Sequence, residues 1–147
     1  MGQLIAIHKG LIDEGEPESL DYAEMRASQG VVQSETAGGV VNLVEHEAYL
    51  ECQESGLELD PGDFGEHLTV EWVALDTLEP GDIIFVGDEV QVEVMGPYHI
   101  PEWLPKLNDV LSVVTEPVGV QAKVLSGGNI TPEMMVHVEL QEIDGEY

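Results

Sequence analysis

A chain of 147 residues with 43% hydrophobic content is sized for one folded domain, burying about 70% of its extended surface, and is too apolar to be disordered. Its 30 acidic residues against 4 basic ones give a formal charge of −26, which repels phosphate backbones and anionic lipid and so excludes nucleic-acid or membrane binding through a basic patch. The single cysteine, Cys52, excludes an intrachain disulfide framework.

Leu4 to His8 predicts a first strand, ended by Lys9-Gly10. Residues 13–19 (DEGEPES) predict a loop, followed by a segment around Tyr22 to Met25 and a strand at Val31-Val32 that leads into Ser34 to Gly39. Val40 to Val44 is the next strand. Glu45 to Ser55 predicts a helix, because Ala48, Tyr49 and Cys52 share one face, acids occupy the first turn and Gly56 supplies a stop. Leu57 to Phe64 returns the chain to the sheet. From Leu59 to Gly96 the period is two, with no helical spacing: Leu68 to Val70 is a short strand, and Ile83 to Val86, the Gly87-Asp88 turn and the alternating Val90, Val92 and Val94 form a β-hairpin over 82–95.

Gly96-Pro97 breaks the ladder, and Tyr98-His99-Ile100 leads into a second helix. That helix opens near Pro101 or Glu102 and runs to about Val114, with Trp103, Leu104, Leu107, Val110 and Leu111 as its apolar stripe and Pro105 in its first turn. Val118 to Leu125 is a strand ended by a turn at Ser126-Gly127-Gly128, and Met134 to Leu140 is the last one. The expected architecture is a single mostly-β barrel over residues 1–140 with two short α-helices, followed by an acidic tail, residues 141–147.

Two runs carry a family resemblance: GDFGEHLTVEWVALDTLEPGDIIFVGDEVQVEV from Gly62 and GVQAKVLSGGNITPEMMVHVEL from Gly119. Together they resemble the MOSC domain, named after the C-terminal part of molybdenum cofactor sulfurase, in its small stand-alone form. The family's F/GEN-L-T strand is matched by Gly65 to Thr69, its L-x-x-G-D-x-L-x-I-G hairpin by Leu78 to Gly87, and its G-V/I-F-A-x-V-L-x-G-G-x-I run by Gly119 to Ile130. The resemblance covers roughly residues 1–140. It implies a MOSC-like β-barrel with a pocket at one end, binding the molybdenum cofactor (molybdopterin) or assisting sulfur transfer to a metal centre. The chain departs from the pattern twice. The family's G-D-x-H-A-G loop and R-Q-V-S-L-L strand read SETAGGVVNLVEHEA, without the loop histidine and with Gly39 at the arginine position. The cysteine to which the family's activity is attributed, just after the hairpin, has no counterpart in MGPYHIPEW, which holds Tyr98 and His99 instead.

His99 offers an imidazole for acid/base work or for a soft-to-borderline metal, and Tyr98 a phenol able to hydrogen-bond an oxo group; the competing reading of His99 is a loop histidine facing solvent or bound to a carbonyl. His67 stands in the family's asparagine slot and either meets the pterin or fixes the loop, while Glu66 is a loop brace or a pocket acid. Lys123 is the best candidate for the pterin phosphate, the other cations being Lys9, Arg26 and Lys106. Cys52, on an apolar helix stripe, reads as a packed thiol and not as an activated one. His8 ends a strand, His46 opens a helix and His137 faces solvent; no pair has metal-site spacing, so no metal site is expected.

No apolar run approaches the roughly 20 residues of a membrane span, and Met1 to Lys9 lacks the features of a signal peptide, so a soluble, cytoplasmic protein is expected. The charge points to a salt-rich cytoplasm, with an acidic mesophilic protein as the rival reading. Two functions remain open. One is a protein of molybdenum-cofactor metabolism, whose partner is the small-molecule cofactor or a molybdoenzyme. The other is a non-catalytic MOSC-fold binding or protein-interaction module, so the residues leave enzyme activity undecided.

Overall fold

The computed structural model describes residues 2–9, 19–27, 29–31, 39–100, 102, 104, 107–114 and 117–139. The loop expected over 13–19 lies outside them up to residue 18, as do Val32, the loop at 34–38 and the acidic tail. Eleven strands and two α-helices are described: β1 (Gly2–His8), β2 (Ser19–Leu20), β3 (Ala23–Arg26), β4 (Gly30–Val31), β5 (Val40–Glu45), α1 (His46–Glu54), β6 (Leu68–Glu71), β7 (Ile83–Val86), β8 (Val90–Tyr98), α2 (Leu107–Leu111), β9 (Gly119–Ser126), β10 (Gly128–Ile130) and β11 (Met135–Glu139).

Seven strands close a barrel in the order β11-β7-β8-β9-β5-β6-β1, and β1 returns to β11 through the pair Gly2 and Val136. β5 and β6 run parallel because α1 and the loop after it carry the chain back along the barrel wall; the other barrel pairs are antiparallel. A small second sheet, β10-β3-β4, flanks it. Two-residue alternation fills the interior: Leu4, Ile7, Val41, Leu43, Leu68, Val70, Ile84, Val92, Val120, Ala122 and Val136 are buried in one cluster. Each fully buried aliphatic side chain contributes about 1.5–3 kcal/mol relative to an exposed one. A second cluster lies outside the wall, where Val44 of β5 meets Ala48, Tyr49 and Cys52 of α1, together with Phe64, Ile100, Leu104 and Val110.

α1 ends as its sequence dictates. Gly56 adopts φ +88°, its N–H donates to the Gln53 carbonyl at 3.1 Å and the Leu57 N–H to the Cys52 carbonyl at 2.9 Å, a Schellman closure. Four expectations need correction. Gly96-Pro97 does not break the ladder: β8 continues to Tyr98, with Gly96 opposite Gln121 and Pro97 opposite Val120 after a register shift between Val94 and Gly96. The second helix spans only Leu107–Leu111, and Leu104 is not helical although buried; Pro105 disfavours helical backbone at the residue before it. The segment of period two contains a 3₁₀ turn at Leu75–Thr77, which tucks Leu75 into the barrel core. Gly127-Gly128 is more than a turn, since Gly128–Ile130 forms β10 against β3. A Cβ at Gly127 would stand 2.3 Å from the Met25 carbonyl oxygen, so that glycine permits close strand approach.

Candidate functional site

β1, β6 and β5 lie side by side, with Ile7, Leu68 and Leu43 in one register row pointing into the barrel. Alternation therefore sets the preceding row, His8, His67 and Asn42, on the outer face. Backbone bonds hold that row together: the His8 N–H donates to the His67 carbonyl at 2.8 Å, and the His67 N–H to the Asn42 carbonyl at 2.9 Å. The Asn42 N–H returns to His67 Nδ1 at 3.0 Å, which puts the imidazole proton of a neutral His67 on Nε2. Burial pulls the His67 pKa down to about 4.

Glu66, one residue before His67, is fully buried beneath the outer cluster. Its carboxylate receives the Tyr49 hydroxyl at 2.7 Å, the Thr69 hydroxyl at 2.7 Å and the Gly62 N–H at 3.0 Å. Burial still raises its pKa against these three donors. The Tyr49 ring stacks on Phe64 with centroids 4.5 Å apart, and the Tyr98 hydroxyl donates to the Phe64 carbonyl at 2.7 Å. Both phenols are pushed above their ordinary pKa, first by burial and then by the charge of Glu66. This arrangement braces the loop from Gly62 to Glu66 and holds its protons tightly.

Of the five residues expected to line one pocket, Glu66 and Tyr98 share the Phe64 and Tyr49 network, whereas the ring of His67 turns to Asn42. His99 is exposed at the end of β8. Lys123 stands on the outer face of β9 opposite Val40, half-exposed, with its ammonium 3.7 Å from Glu93. The sequence reading passed over Tyr49, Thr69 and Gly62 as partners of Glu66. It also passed over His8 and Asn42, although a lone amide inside the valine-rich strand VVNLV was a signal. Two of the newly placed groups carry buried atoms with no hydrogen-bond partner among the described residues, His8 Nδ1 and Asn42 Oδ1. At the opposite end of the barrel a concavity of about 430 Å³ is lined by Gly2, Trp72, Val73, Leu78, Val136 and His137.

No family model and no curated protein matches the chain by sequence. Solved structures do match its fold. The crystal structure of YiiM from Geobacillus stearothermophilus aligns with TM-score 0.68 and 18% identity over 95% of this chain and 75% of that one. The YuaD protein from Bacillus subtilis aligns with TM-score 0.67 and 15% identity over 97% of this chain and all 100% of its own. YiiM from Escherichia coli gives TM-score 0.65 and 20% identity over 98% and 72%. YiiM and YuaD are MOSC-domain proteins. The barrel is MOSC-like. Similarity at these identities speaks to fold, and function is read from the site.

The donor set fits poorly to a molybdenum centre held by a thiolate. Cys52 is fully buried on α1 and its pKa is raised by burial and by Glu51, so it stays a protonated, packed thiol. Among the described residues no cluster of three or more His, Cys, Asp or Glu side chains forms a metal site. Of the cations suited to a pterin phosphate, Arg26 is engaged by Glu24 at 2.6 Å and Lys123 by Glu93. No described helix is long and apolar enough to cross a membrane.

Proposed function

We propose that the chain is a MOSC-fold binding module that performs no sulfur transfer of its own. The observation that carries this reading is the state of Cys52, the chain's one thiol, which is sealed in the packing of α1 and held protonated. A persulfide carrier or a thiolate ligand has to meet its partner at the surface, and this sulfur does not. The buried Glu66 network supports the same reading. A carboxylate saturated by Tyr49, Thr69 and Gly62 fixes a loop and is poorly placed to exchange protons with a substrate.

The molybdenum-cofactor reading implied by the fold resemblance is the one the experiment must separate from this. The protein is purified in high salt from a host that makes molybdenum cofactor, and molybdenum and oxidised pterin are assayed. The expected result is no stoichiometric signal of either. Stoichiometric molybdenum and pterin, lost in His99→Ala, would overturn the module reading and restore the cofactor one.

A further inference from the structure

We propose that the concavity at the Gly2 end of the barrel binds a small molecule bearing a quaternary ammonium group, held against the indole of Trp72. The concavity lies at the barrel end away from Glu66, so the inference goes beyond the binding-module reading and does not depend on it.

Its basis is the placement of one side chain. Trp72 follows β6 with φ +62°, a left-handed backbone that bulky residues rarely adopt. Its N–H donates to Glu47 Oε2 at 3.0 Å, which holds the turn in place. A glycine would make the same turn without strain. The chain instead sets a tryptophan there, leaves it 68% exposed and makes it a wall of a concavity of about 430 Å³. The strain and the exposed indole both cost stability, and no burial of the indole offsets them. Strained backbone of this kind clusters at ligand sites.

The lining selects the ligand. The volume falls within the roughly 300–1,000 Å³ of small-molecule sites. Leu78, Val136 and Val138 give an apolar wall, and the ring of His137, stacked flat on Phe85 with centroids 4.6 Å apart, adds a second aromatic group. The Thr77 hydroxyl is already spent on the Ala74 carbonyl at 2.7 Å. A primary ammonium or a guanidinium brings N–H donors that such walls leave unsatisfied, at a cost in desolvation. A quaternary ammonium carries only alkyl groups, which pack on apolar walls while its charge faces an aromatic ring. The sign of the charge follows from the surroundings. The described lining residues include no lysine or arginine, whereas Glu71 precedes the lining segment 72–78, Asp76 falls within it and Glu47 is bonded to it. The whole chain carries −26. An anion would enter against that field, and a neutral ligand gains nothing from it.

The probe is choline, with its uncharged carbon isostere 3,3-dimethylbutan-1-ol as the control. Both are titrated into the full chain at about 1 M potassium chloride to screen non-specific attraction. Binding is followed by the indole N–H signal of Trp72, assigned by its loss in Trp72→Leu, and by calorimetry for the variants. The expected result is a saturable titration that moves the Trp72 signal, with choline bound about tenfold tighter than the alcohol. Binding is expected to vanish in Trp72→Leu and to persist, weakened, in Trp72→Phe. A linear titration, an unmoved Trp72 signal, equal affinity for choline and the alcohol, or unchanged affinity in Trp72→Leu overturns the proposal. So does binding to phosphatidylcholine vesicles without binding of free choline, which would assign the concavity to a lipid surface. The comparison of choline with the alcohol on the parent chain decides even if a variant fails to fold.

Discussion

The Tyr49 hydroxyl oxygen stands 2.7 Å from each carboxylate oxygen of Glu66 and accepts the Phe64 amide proton at 3.0 Å. One phenol on α1 thereby satisfies a fully buried carboxylate and a buried loop amide together. Tyr49→Phe removes both contacts without changing the ring that stacks on Phe64. A buried charged acceptor and a buried N–H each lose a partner, so the expected loss is about 2–4 kcal/mol. Tyr98→Phe frees only the part-buried Phe64 carbonyl and is expected to cost about 1 kcal/mol. Urea unfolding of the two variants checks the ranking, and equal losses would show that Glu66 does not depend on Tyr49.

Gly62 serves Glu66 through its N–H and His8 through its missing side chain. Its φ of +98° disfavours any L residue, and an alanine Cβ would also overlap the His8 ring at 2.7 Å. Gly56, at φ +88°, has open space around the same added atom. Backbone strain alone costs about 1–2 kcal/mol, and overpacking adds about 1–3 kcal/mol. Gly62→Ala should therefore lower stability by about 3 kcal/mol or more, and Gly56→Ala by about 1–2 kcal/mol. Similar losses in denaturant titrations of both would mean that His8 moves aside freely.

The barrel was legible because period-two alternation and turn glycines are local signals: Ile83 to Val94 gave the hairpin, VVNLV gave β5, and the Ala48, Tyr49, Cys52 stripe gave α1. The shortened α2 was legible in part, since Pro105 marked a helix boundary that the apolar stripe obscured. The small sheet was not, because Gly127 admits the backbone of Met25 across about a hundred residues of chain, and nothing in Ser126-Gly127-Gly128 distinguishes that from a turn. The site was half visible. Glu66, His67 and Tyr98 were singled out by family pattern, and Glu66 and Tyr98 do share a network. His8 and Asn42 meet His67 through strand register alone, and no spacing within one segment encodes register between strands.

Glu45, at the junction of β5 and α1, has its pKa pushed up to about 7, first by burial and then by Asp76 and Glu47, against backbone hydrogen bonds from Asp76 and Leu75. An acid whose folded pKa is raised binds its proton more tightly when folded, so stability falls as pH rises from the ordinary value of 4.5 to about 7. Glu45→Gln removes the penalty of ionisation. The group is partly exposed, and solvent screening discounts the effect to about 1 kcal/mol. The variant should be more stable than the parent at pH 8 and no more stable at pH 4. Parallel stability profiles from pH 4 to 8 would remove Glu45 as the source.

Charge sets the last expectation. With 30 acidic residues and 4 basic ones, and with Arg26 and Lys123 each already paired to a glutamate, most carboxylates on the barrel wall repel one another without a counter-charge nearby. The range of that repulsion is about 10 Å at 0.1 M salt and about 3 Å at 1 M, so added potassium chloride shortens it below the spacing of neighbouring side chains. Folding concentrates the charge, and salt therefore favours the folded chain. Relief of a few kcal/mol would raise Tm by on the order of 10 °C for a domain of this size. Melting followed by circular dichroism from 0.1 to 3 M potassium chloride tests this. Chloride is chosen over sulfate because sulfate strengthens apolar burial in any protein. A Tm that stays flat would show that the acidic surface carries no appreciable electrostatic penalty, and the salt-rich setting would lose its physical basis.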